Sequence, residues 1–233
     1  MTNKKKFILF DNDGVLVETE KWYYEANVKA LKELSLTLEL DTYLEIMARG
    51  GTAWEIAFAQ GVSKKVVDKQ REKRDVFYQE FLTTKDIEIQ GVKPLLKELS
   101  QNYKMAIITT SRRVDFDLIH KNRGIVDFMD FTLCVEEYTK AKPAPDPYLA
   151  GLKKFNAKKE ETIIIEDSQR GLTSAFNAGI ECAIVHNEFT KTHDFSKANY
   201  HIKKLDDLKS FYLLCRYSFN LLIPSSICSM SLV

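Results

Sequence analysis

The 233-residue chain has few cysteines, few histidines and almost no net charge, and each shortage argues against a class of protein. Its four cysteines show no paired spacing of a zinc site, so they are expected to be reduced thiols rather than metal ligands. The four histidines are scattered, and each is expected to be structural or solvated. A net charge of +1 lacks the basic excess that attracts nucleic acid or an anionic membrane surface.

Apolar runs long enough for a signal peptide or a transmembrane helix are also missing near both ends of the chain. The apolar segment after the first lysines stops at Asp11, which makes it too short for the core of a signal peptide. Residues 213–233 form an apolar tail, but Arg216, Asn220 and Pro224 make it a poor transmembrane helix. This tail either packs on the core or a partner, or is a loosely ordered extension without function. The chain is therefore predicted to be cytoplasmic, with no nucleic acid and no membrane as partner.

Apolar periodicity divides the rest of the chain into two patterns. Short runs rich in β-branched and aromatic residues alternate with helical segments in most of the chain, which is typical of a parallel sheet. Residues 18–85 instead show only helical spacing, and a helical block after the first strand indicates an insertion. The predicted fold class is α/β, with a parallel-sheet Rossmann-like core at residues 1–17 and 86–212 and an inserted all-helical cap at residues 18–85.

Polar side chains follow three of the predicted strands, which lie at residues 7–10, 104–108 and 162–165. They are Asp11 and Asp13 after the first strand, Thr109 and Thr110 after the second, and Glu166 and Asp167 after the third. Because the carboxyl ends of parallel strands share one edge of a sheet, these side chains are expected to lie close together. Lys142 lies just upstream of the third strand, in a loop stiffened by prolines.

This combination of charges favours chemistry at a phosphoryl group. The carboxylates of Asp11 and Asp13 raise each other's pKa unless a cation lies between them, and a divalent cation with oxygen ligands would suit. A metal ion and Lys142 together can clamp a phosphoryl group while Thr109 binds its remaining oxygens. One carboxylate can attack phosphorus to give an aspartyl-phosphate, and a second can transfer protons.

Each piece also has a simpler interpretation when taken alone. The acids after the first strand fit a polar turn, and the clusters at Thr109 and Glu166 fit helix N-caps. Lys142 alone fits a solvated surface lysine. The whole set in this order is much less expected by chance, so it favours a site.

Four ordered motifs resemble those of the haloacid dehalogenase superfamily. They are Asp11-Asn12-Asp13-Gly14-Val15-Leu16, Ile107-Ile108-Thr109, Lys142-Pro143-Ala144-Pro145-Asp146 and Ile165-Glu166-Asp167-Ser168. The similarity spans about Lys6 to Leu208. It is strongest to the branch that contains beta-phosphoglucomutases and sugar-phosphate phosphatases, whose members carry a helical cap after the first motif.

The resemblance implies a role for each matching residue. Asp11 would be the nucleophile and a metal ligand, and Asp13 the general acid/base that also binds Mg²⁺ through its backbone carbonyl. Thr109, Thr110 and Lys142 would hold the phosphoryl group, and Glu166 and Asp167 would complete the Mg²⁺ site. In the cap, Arg49, Gly50 and Thr52 would belong to the loop that closes over the substrate, and Tyr23 would face it from the first cap helix.

Two departures from this branch bear on the reaction. Where beta-phosphoglucomutases have a histidine on the first cap helix, this chain has Tyr23, and where they have an arginine after the cap loop, it has Ala53. Both differences favour a phosphatase over a mutase. Asp13 argues against carbon–halogen chemistry, because the dehalogenases have no acid at that position.

The sequence therefore predicts a monomeric, Mg²⁺-dependent phosphatase that hydrolyses a small phosphorylated metabolite, such as a sugar phosphate, through an aspartyl-phosphate on Asp11. A phosphosugar mutase with the same intermediate and a non-catalytic binding module remain as alternatives. A receiver-type signalling domain is disfavoured, because it has no helical insert after its first strand and its acidic metal ligands cluster early.

Overall fold

The computed structural model describes residues 5–209, and the tail predicted at residues 213–233 lies outside the described residues. Its strands are β1 Phe7–Phe10, β2 Lys104–Ile108, β3 Phe131–Leu133, β4 Thr162–Glu166, β5 Glu181–Val185 and β6 Tyr200–Ile202. They form a six-stranded sheet in the order β3-β2-β1-β4-β5-β6, and every neighbouring pair is parallel. The predicted parallel α/β fold is confirmed.

Helices precede and follow the strands. They are α1 Glu20–Lys32, α2 Leu40–Ala48, α3 Glu55–Ala59, α4 Lys64–Thr84, α5 Val92–Leu99, α6 Arg113–His120, α7 Asp146–Phe155 and α8 Gln169–Ala178. No helix within residues 5–209 combines the length and the apolar content that a membrane span requires.

The first strand lies inside the sheet because it is apolar on both faces. Ile8, Leu9 and Phe10 are fully buried. Ile8 and Phe10 belong to the apolar cluster that contains α5 and α6, whereas Leu9 belongs to the cluster that contains α7 and α8. This division follows the two-residue period of a strand, and it places helices on both faces of the sheet.

The helices α1 to α4 form the insertion between β1 and the rest of the sheet. The α1 helix packs against α4. Leu31, Tyr43, Trp54 and Val67 share an apolar cluster that is separate from the two clusters on the sheet. The predicted helical character of this segment is confirmed. Its division from the core at residues 18 and 85 stays a prediction.

Candidate active site

The carboxyl ends of β1, β2 and β4 meet at Lys142. Its ammonium donates to Oδ1 of Asp11 at 2.6 Å, to Oε1 of Glu166 at 2.7 Å and to the carbonyl of Ile108 at 3.0 Å. Asp11 directly follows β1, Ile108 ends β2 and Glu166 ends β4. One lysine therefore contacts three neighbouring strands. Lys142 is only 5% exposed, so its interpretation as a solvated surface lysine is wrong.

Burial and charge act in opposite directions on these groups. Burial alone would lower the pKa of Lys142, but the carboxylates of Asp11 and Glu166 raise that pKa above its ordinary value. Burial raises the pKa of Asp11, and the charge of Lys142 opposes the rise. Burial also acts to raise the pKa of Glu166, but Lys142 outweighs it and holds that pKa below its ordinary value. Lys142 is therefore positively charged at neutral pH and compensates two buried acids.

Hydrogen bonds hold Glu166 through both of its oxygens. The Tyr148 hydroxyl donates to Oε1 at 2.6 Å, and the Ser168 hydroxyl donates to Oε2 at 3.1 Å. Ser168 also accepts a hydrogen bond from the backbone nitrogen of Gly171 at 3.1 Å, which caps α8. A Cβ on Gly171 would lie 1.8 Å from Oε1 of Glu166. The helix can approach the carboxylate this closely only because residue 171 is glycine.

Three buried carboxylates form a set of oxygen donors. Asp11, Glu166 and Asp167 offer oxygens that lie within 4.8 Å of one another. Lys142 pairs with the first two, but no cation within residues 5–209 pairs with Asp167. Burial, together with the charges of Glu166 and Asp11, raises the pKa of Asp167 well above its ordinary value. A divalent cation would relieve this repulsion, and hard cations prefer oxygen ligands, so these residues fit a divalent metal ion.

Hydroxyl groups surround Asp13. The Ser111 hydroxyl donates to Oδ2 at 2.8 Å and the Thr109 hydroxyl at 3.3 Å, while the Thr19 hydroxyl donates to Oδ1. These donors fix the orientation of a carboxyl group that lines the cavity described below. Gly14, the next residue, has a φ of +77°, and a Cβ there would lie 2.0 Å from Oδ2 of Asp167. The turn therefore brings the backbone directly against the acidic cluster.

A cavity of about 410 Å³ lies between this sheet edge and the helical insertion. Of the residues predicted from the sequence, Asp11, Asp13, Tyr23, Thr110 and Asp167 line it. Thr109, Lys142 and Glu166 are buried behind its wall. Thr109 donates to Asp13 and Lys142 to Asp11, whereas Glu166 is connected to the wall only through Lys142 among these contacts. The structure thus brings the predicted catalytic, phosphate-binding and metal-binding side chains together.

The predicted cap loop is not part of the cavity wall. Arg49, Gly50 and Thr52 do not line the cavity. Arg49 forms an ion pair with Glu55, which also accepts a hydrogen bond from the backbone nitrogen of Thr52 at 3.0 Å. Gly50 has a φ of +77° and lies between them in the chain. A role for this loop in substrate binding stays a prediction.

Tyr23 lies in the cavity wall beneath a guanidinium group. The Cζ of Arg74 lies 4.5 Å from the centroid of the Tyr23 ring, and Nη1 of Arg74 donates to the Tyr23 hydroxyl. Burial raises the pKa of Tyr23 above its ordinary value. The phenol therefore stays protonated at neutral pH, whereas a histidine at this position would titrate near pH 7.

The sequence gives little sign of the ion pairs that join the insertion to the core. Arg112 pairs with Asp75 of α4 at 2.5 Å and with Asp115 of α6 at 2.7 Å. All three side chains line the cavity. The position of Arg112, directly after the Thr109 cluster, could have indicated a residue at the sheet edge. The charged face of α4 gives no indication of which of its carboxylates contacts the core. The contact made by Asp75 therefore could not be predicted from the sequence.

The family of the chain follows from a match over most of its length. Residues 8–185 match the family described as haloacid dehalogenase-like hydrolase. The chain belongs to this family. The resemblance predicted from the four motifs is confirmed, and those motifs supply the residues that meet around Lys142.

Named relatives of this haloacid dehalogenase-like hydrolase include proteins from two bacteria. It is 26% identical to protein CbbY of Rhodobacter capsulatus over 212 residues, which is 86% of this chain and 93% of that protein. It is 29% identical to the phosphorylated carbohydrates phosphatase of Thermotoga maritima over 191 residues, 77% of this chain and 85% of that one. The crystal structure of a beta-phosphoglucomutase from Clostridium difficile has the same fold, with a TM-score of 0.73 and 24% identity over 93% of this chain and 98% of that one.

Proposed function

We propose that this hydrolase is a cytoplasmic, Mg²⁺-dependent phosphatase that hydrolyses a small phosphorylated carbohydrate or related metabolite through an aspartyl-phosphate on Asp11. The observation that carries the proposal is the buried group formed by Lys142, Asp11, Glu166 and Asp167 at one edge of the sheet. Phosphoryl transfer depends mostly on positioning and on neutralisation of charge, and this group serves both once a divalent cation is bound.

The family and its relatives make the chain a phosphoric monoester hydrolase. The relative from Thermotoga maritima is named for phosphorylated carbohydrates, and this name supports the proposed substrate class. The cavity of about 410 Å³ is the size of a pocket for a small ligand.

In the proposed reaction, a carboxylate oxygen of Asp11 attacks phosphorus, and the bond from phosphorus to the alcohol oxygen of the substrate breaks. Asp13, protonated for this step, donates its proton to the departing oxygen. The Asp13 carboxylate then takes a proton from a water molecule that attacks phosphorus, which releases inorganic phosphate and restores Asp11. Asp11, Glu166 and Asp167 would hold Mg²⁺, which supplies positive charge to the phosphoryl oxygens when bound.

The helical insertion at residues 18–85 is proposed to act as a cap that covers the substrate. The support is the position of the cavity, whose wall includes Tyr23 and Arg74 from the insertion as well as Asp11 and Thr110 from the core. Closure of such a cap would exclude water other than the attacking molecule.

Two side chains of the insertion favour hydrolysis over a mutase. The Tyr23 hydroxyl accepts a hydrogen bond from Arg74, and burial raises its pKa above the ordinary value, so it does not ionise at neutral pH. Ala53 is 4% exposed and belongs to the apolar cluster of the insertion, so it offers no cation to a second phosphate. In the resemblance to beta-phosphoglucomutases, the residue at the first position assists the sugar hydroxyl and the residue at the second position binds a second phosphate, so both substitutions remove groups that those mutases use.

The direct test measures hydrolysis of p-nitrophenyl phosphate and of a panel of sugar phosphates, with Mg²⁺ and with a chelator. The wild type is compared with Asp11→Asn and with Asp117→Asn, an isosteric change at an acid whose side chain is 66% exposed on α6. We expect turnover by the wild type and Asp117→Asn that requires Mg²⁺, and none by Asp11→Asn. Absence of turnover on every phosphomonoester by a folded wild type would overturn the phosphatase assignment. Undiminished turnover by Asp11→Asn would overturn the aspartyl-phosphate.

A further inference from the structure

Three arginines line the cavity, and they differ in what they contact. Arg74 and Arg112 come from α4 and from the segment before α6, whereas Arg170 is the second residue of α8. Arg170 therefore follows the Glu166-Asp167-Ser168 turn in the chain. None of the three was singled out by the sequence motifs.

Two of these arginines are neutralised by carboxylates. Nε of Arg74 lies 2.8 Å from Oδ1 of Asp75. Arg112 binds the other oxygen of Asp75 at 2.5 Å and also pairs with Asp115 at 2.7 Å. Lys142, behind the wall, is likewise held by Asp11 and Glu166. These three cations already have anionic partners within the protein or, for Lys142, at the proposed phosphoryl site.

Arg170 is different because no carboxylate within residues 5–209 pairs with it. Its side-chain contact is a hydrogen bond from Nη2 to the hydroxyl of Thr110 at 3.3 Å. Thr110 follows β2 and Arg170 follows β4, and β1 lies between these two strands in the sheet, so this bond joins segments on either side of β1. The exposed guanidinium of Arg170 therefore lies in the cavity wall with N–H donors that are available to a ligand.

We infer that Arg170 binds a second anionic group of the substrate, a carboxylate or a phosphate on the part that leaves as the alcohol. This inference rests on the proposed phosphatase function, and it makes Arg170 a specificity-determining residue of that site. A planar guanidinium presents paired donors that match a carboxylate or a phosphate.

The carboxylates in the cavity wall explain why the charge of Arg170 would affect the binding of an anionic substrate. Glu20 lines the cavity and accepts a hydrogen bond from the Tyr43 hydroxyl rather than from a cation. The ionised Glu20 carboxylate gives the space outside the metal site a negative charge that repels an anionic leaving group. Arg170 is the cation within the described cavity wall that is available to offset this repulsion.

The test compares the specificity of variants with matched pairs of substrates. Glycerol 3-phosphate and 3-phosphoglycerate share a three-carbon skeleton but differ in a carboxylate, and glucose 6-phosphate and glucose 1,6-bisphosphate differ in a second phosphate. For each pair the ratio of kcat/KM is measured in the wild type, Arg170→Gln and Arg170→Lys. Arg71→Gln is the control, because Arg71 is an arginine of α4 that does not line the cavity. The ratio is internal to each variant, so partial loss of folded protein cancels.

We expect the wild type to favour the more anionic member of at least one pair, and the pair shows whether carboxylate or phosphate is bound. Arg170→Gln should reduce this preference by about tenfold or more, mainly through KM, on the scale of one charge-assisted hydrogen bond. Arg170→Lys should retain part of the preference, and Arg71→Gln all of it. A ratio within about twofold of wild type in Arg170→Gln, or no preference in the wild type, would overturn the inference. If the wild type hydrolyses p-nitrophenyl phosphate but none of the four esters, the inference about Arg170 is overturned, whereas absence of turnover on every phosphomonoester overturns the proposed phosphatase function instead.

Discussion

The ammonium of Lys142 lies 2.6 Å from Oδ1 of Asp11, with both residues buried at the carboxyl end of the first strand. The same ammonium compensates Glu166 at 2.7 Å. Removal of this cation would leave two buried carboxylates without a cationic partner. The attraction between these groups therefore supports the fold as well as the proposed chemistry.

Replacement of Lys142 by Met should lower the free energy of unfolding by about 3–5 kcal/mol in the absence of divalent metal, the usual cost of breaking a buried ion pair. Urea denaturation gives the value. Lys140→Met, at an exposed lysine in the same loop, is the matched control and should change stability little. A loss below about 1 kcal/mol for Lys142→Met would show that the two acids take up protons at little cost.

Mg²⁺ should raise the thermal unfolding temperature of the wild type, because a ligand that binds only the folded state stabilises it. Asp167→Asn should abolish this rise, since the change removes one of three clustered carboxylates at nearly constant shape. Differential scanning fluorimetry over a Mg²⁺ titration measures both, with Asp117→Asn as the control. An equal rise in Asp167→Asn would place the cation elsewhere.

A single methyl group on α8 should disturb the acidic cluster. The Cβ of Gly171→Ala would meet the Glu166 carboxylate at 1.8 Å, so the carboxylate must move. We expect an affinity for Mg²⁺ weaker by about 10–100-fold, the range seen when groups that orient metal ligands are altered. Calorimetric titration compares Gly171→Ala with Thr173→Ala in the same helix. Equal affinity in the two variants would mean that Glu166 is not a ligand.

The buried imidazole of His120 should make the free energy of unfolding depend on pH. Its Nε2 lies 2.7 Å from Oδ1 of Asn12, and burial lowers its pKa from 6.5 to about 4. The pKa of His120 is lower in the folded state than in the unfolded state. The contribution of the neutral imidazole to the free energy of unfolding is therefore fully present above pH 6.5 and is lost as the pH falls toward 4. The loss amounts to about 3 kcal/mol for a shift of this size.

Replacement of His120 by Gln removes the titration while keeping a donor toward Asn12. The difference in unfolding free energy between wild type and His120→Gln should therefore change by about 3 kcal/mol between pH 7 and pH 4. Urea denaturation at half-unit steps of pH gives the difference curve, in which the carboxylates common to both proteins cancel. A flat difference curve would contradict the buried neutral histidine.

The pair of Arg112 and Asp75 should contribute little to stability despite its short distance. The Arg112 side chain is 40% exposed, so solvent weakens the attraction. A double-mutant cycle with Arg112→Gln and Asp75→Asn should give a coupling energy below about 1 kcal/mol. A coupling of several kcal/mol would contradict this expectation and would show that the contact between insertion and core contributes substantially to stability.

The fold, and the position of the acidic residues that follow the strands, could be predicted from local sequence patterns. Buried strands such as Ile163 to Ile165 show as continuous apolar runs, and parallel topology then brings the acids that follow them to one edge. The ion pair of Arg112 with Asp75 depends on how α4 packs against α6, a tertiary contact without a local signal. The burial of Lys142 and the placement of Arg49 outside the cavity wall likewise depend on packing between distant segments.

The interior position of β1 also has a consequence for synthesis of the chain. Its neighbours, β2 and β4, begin at Lys104 and Thr162, so the first strand leaves the ribosome long before either exists. At the usual pace of translation the wait for β2 is roughly 5–20 s. During that interval an apolar strand ending in the candidate nucleophile has no neighbour to pair with, while the insertion, whose contacts are local, is already complete. The nascent chain is therefore exposed to self-association and chaperone capture at the very segment on which its chemistry depends.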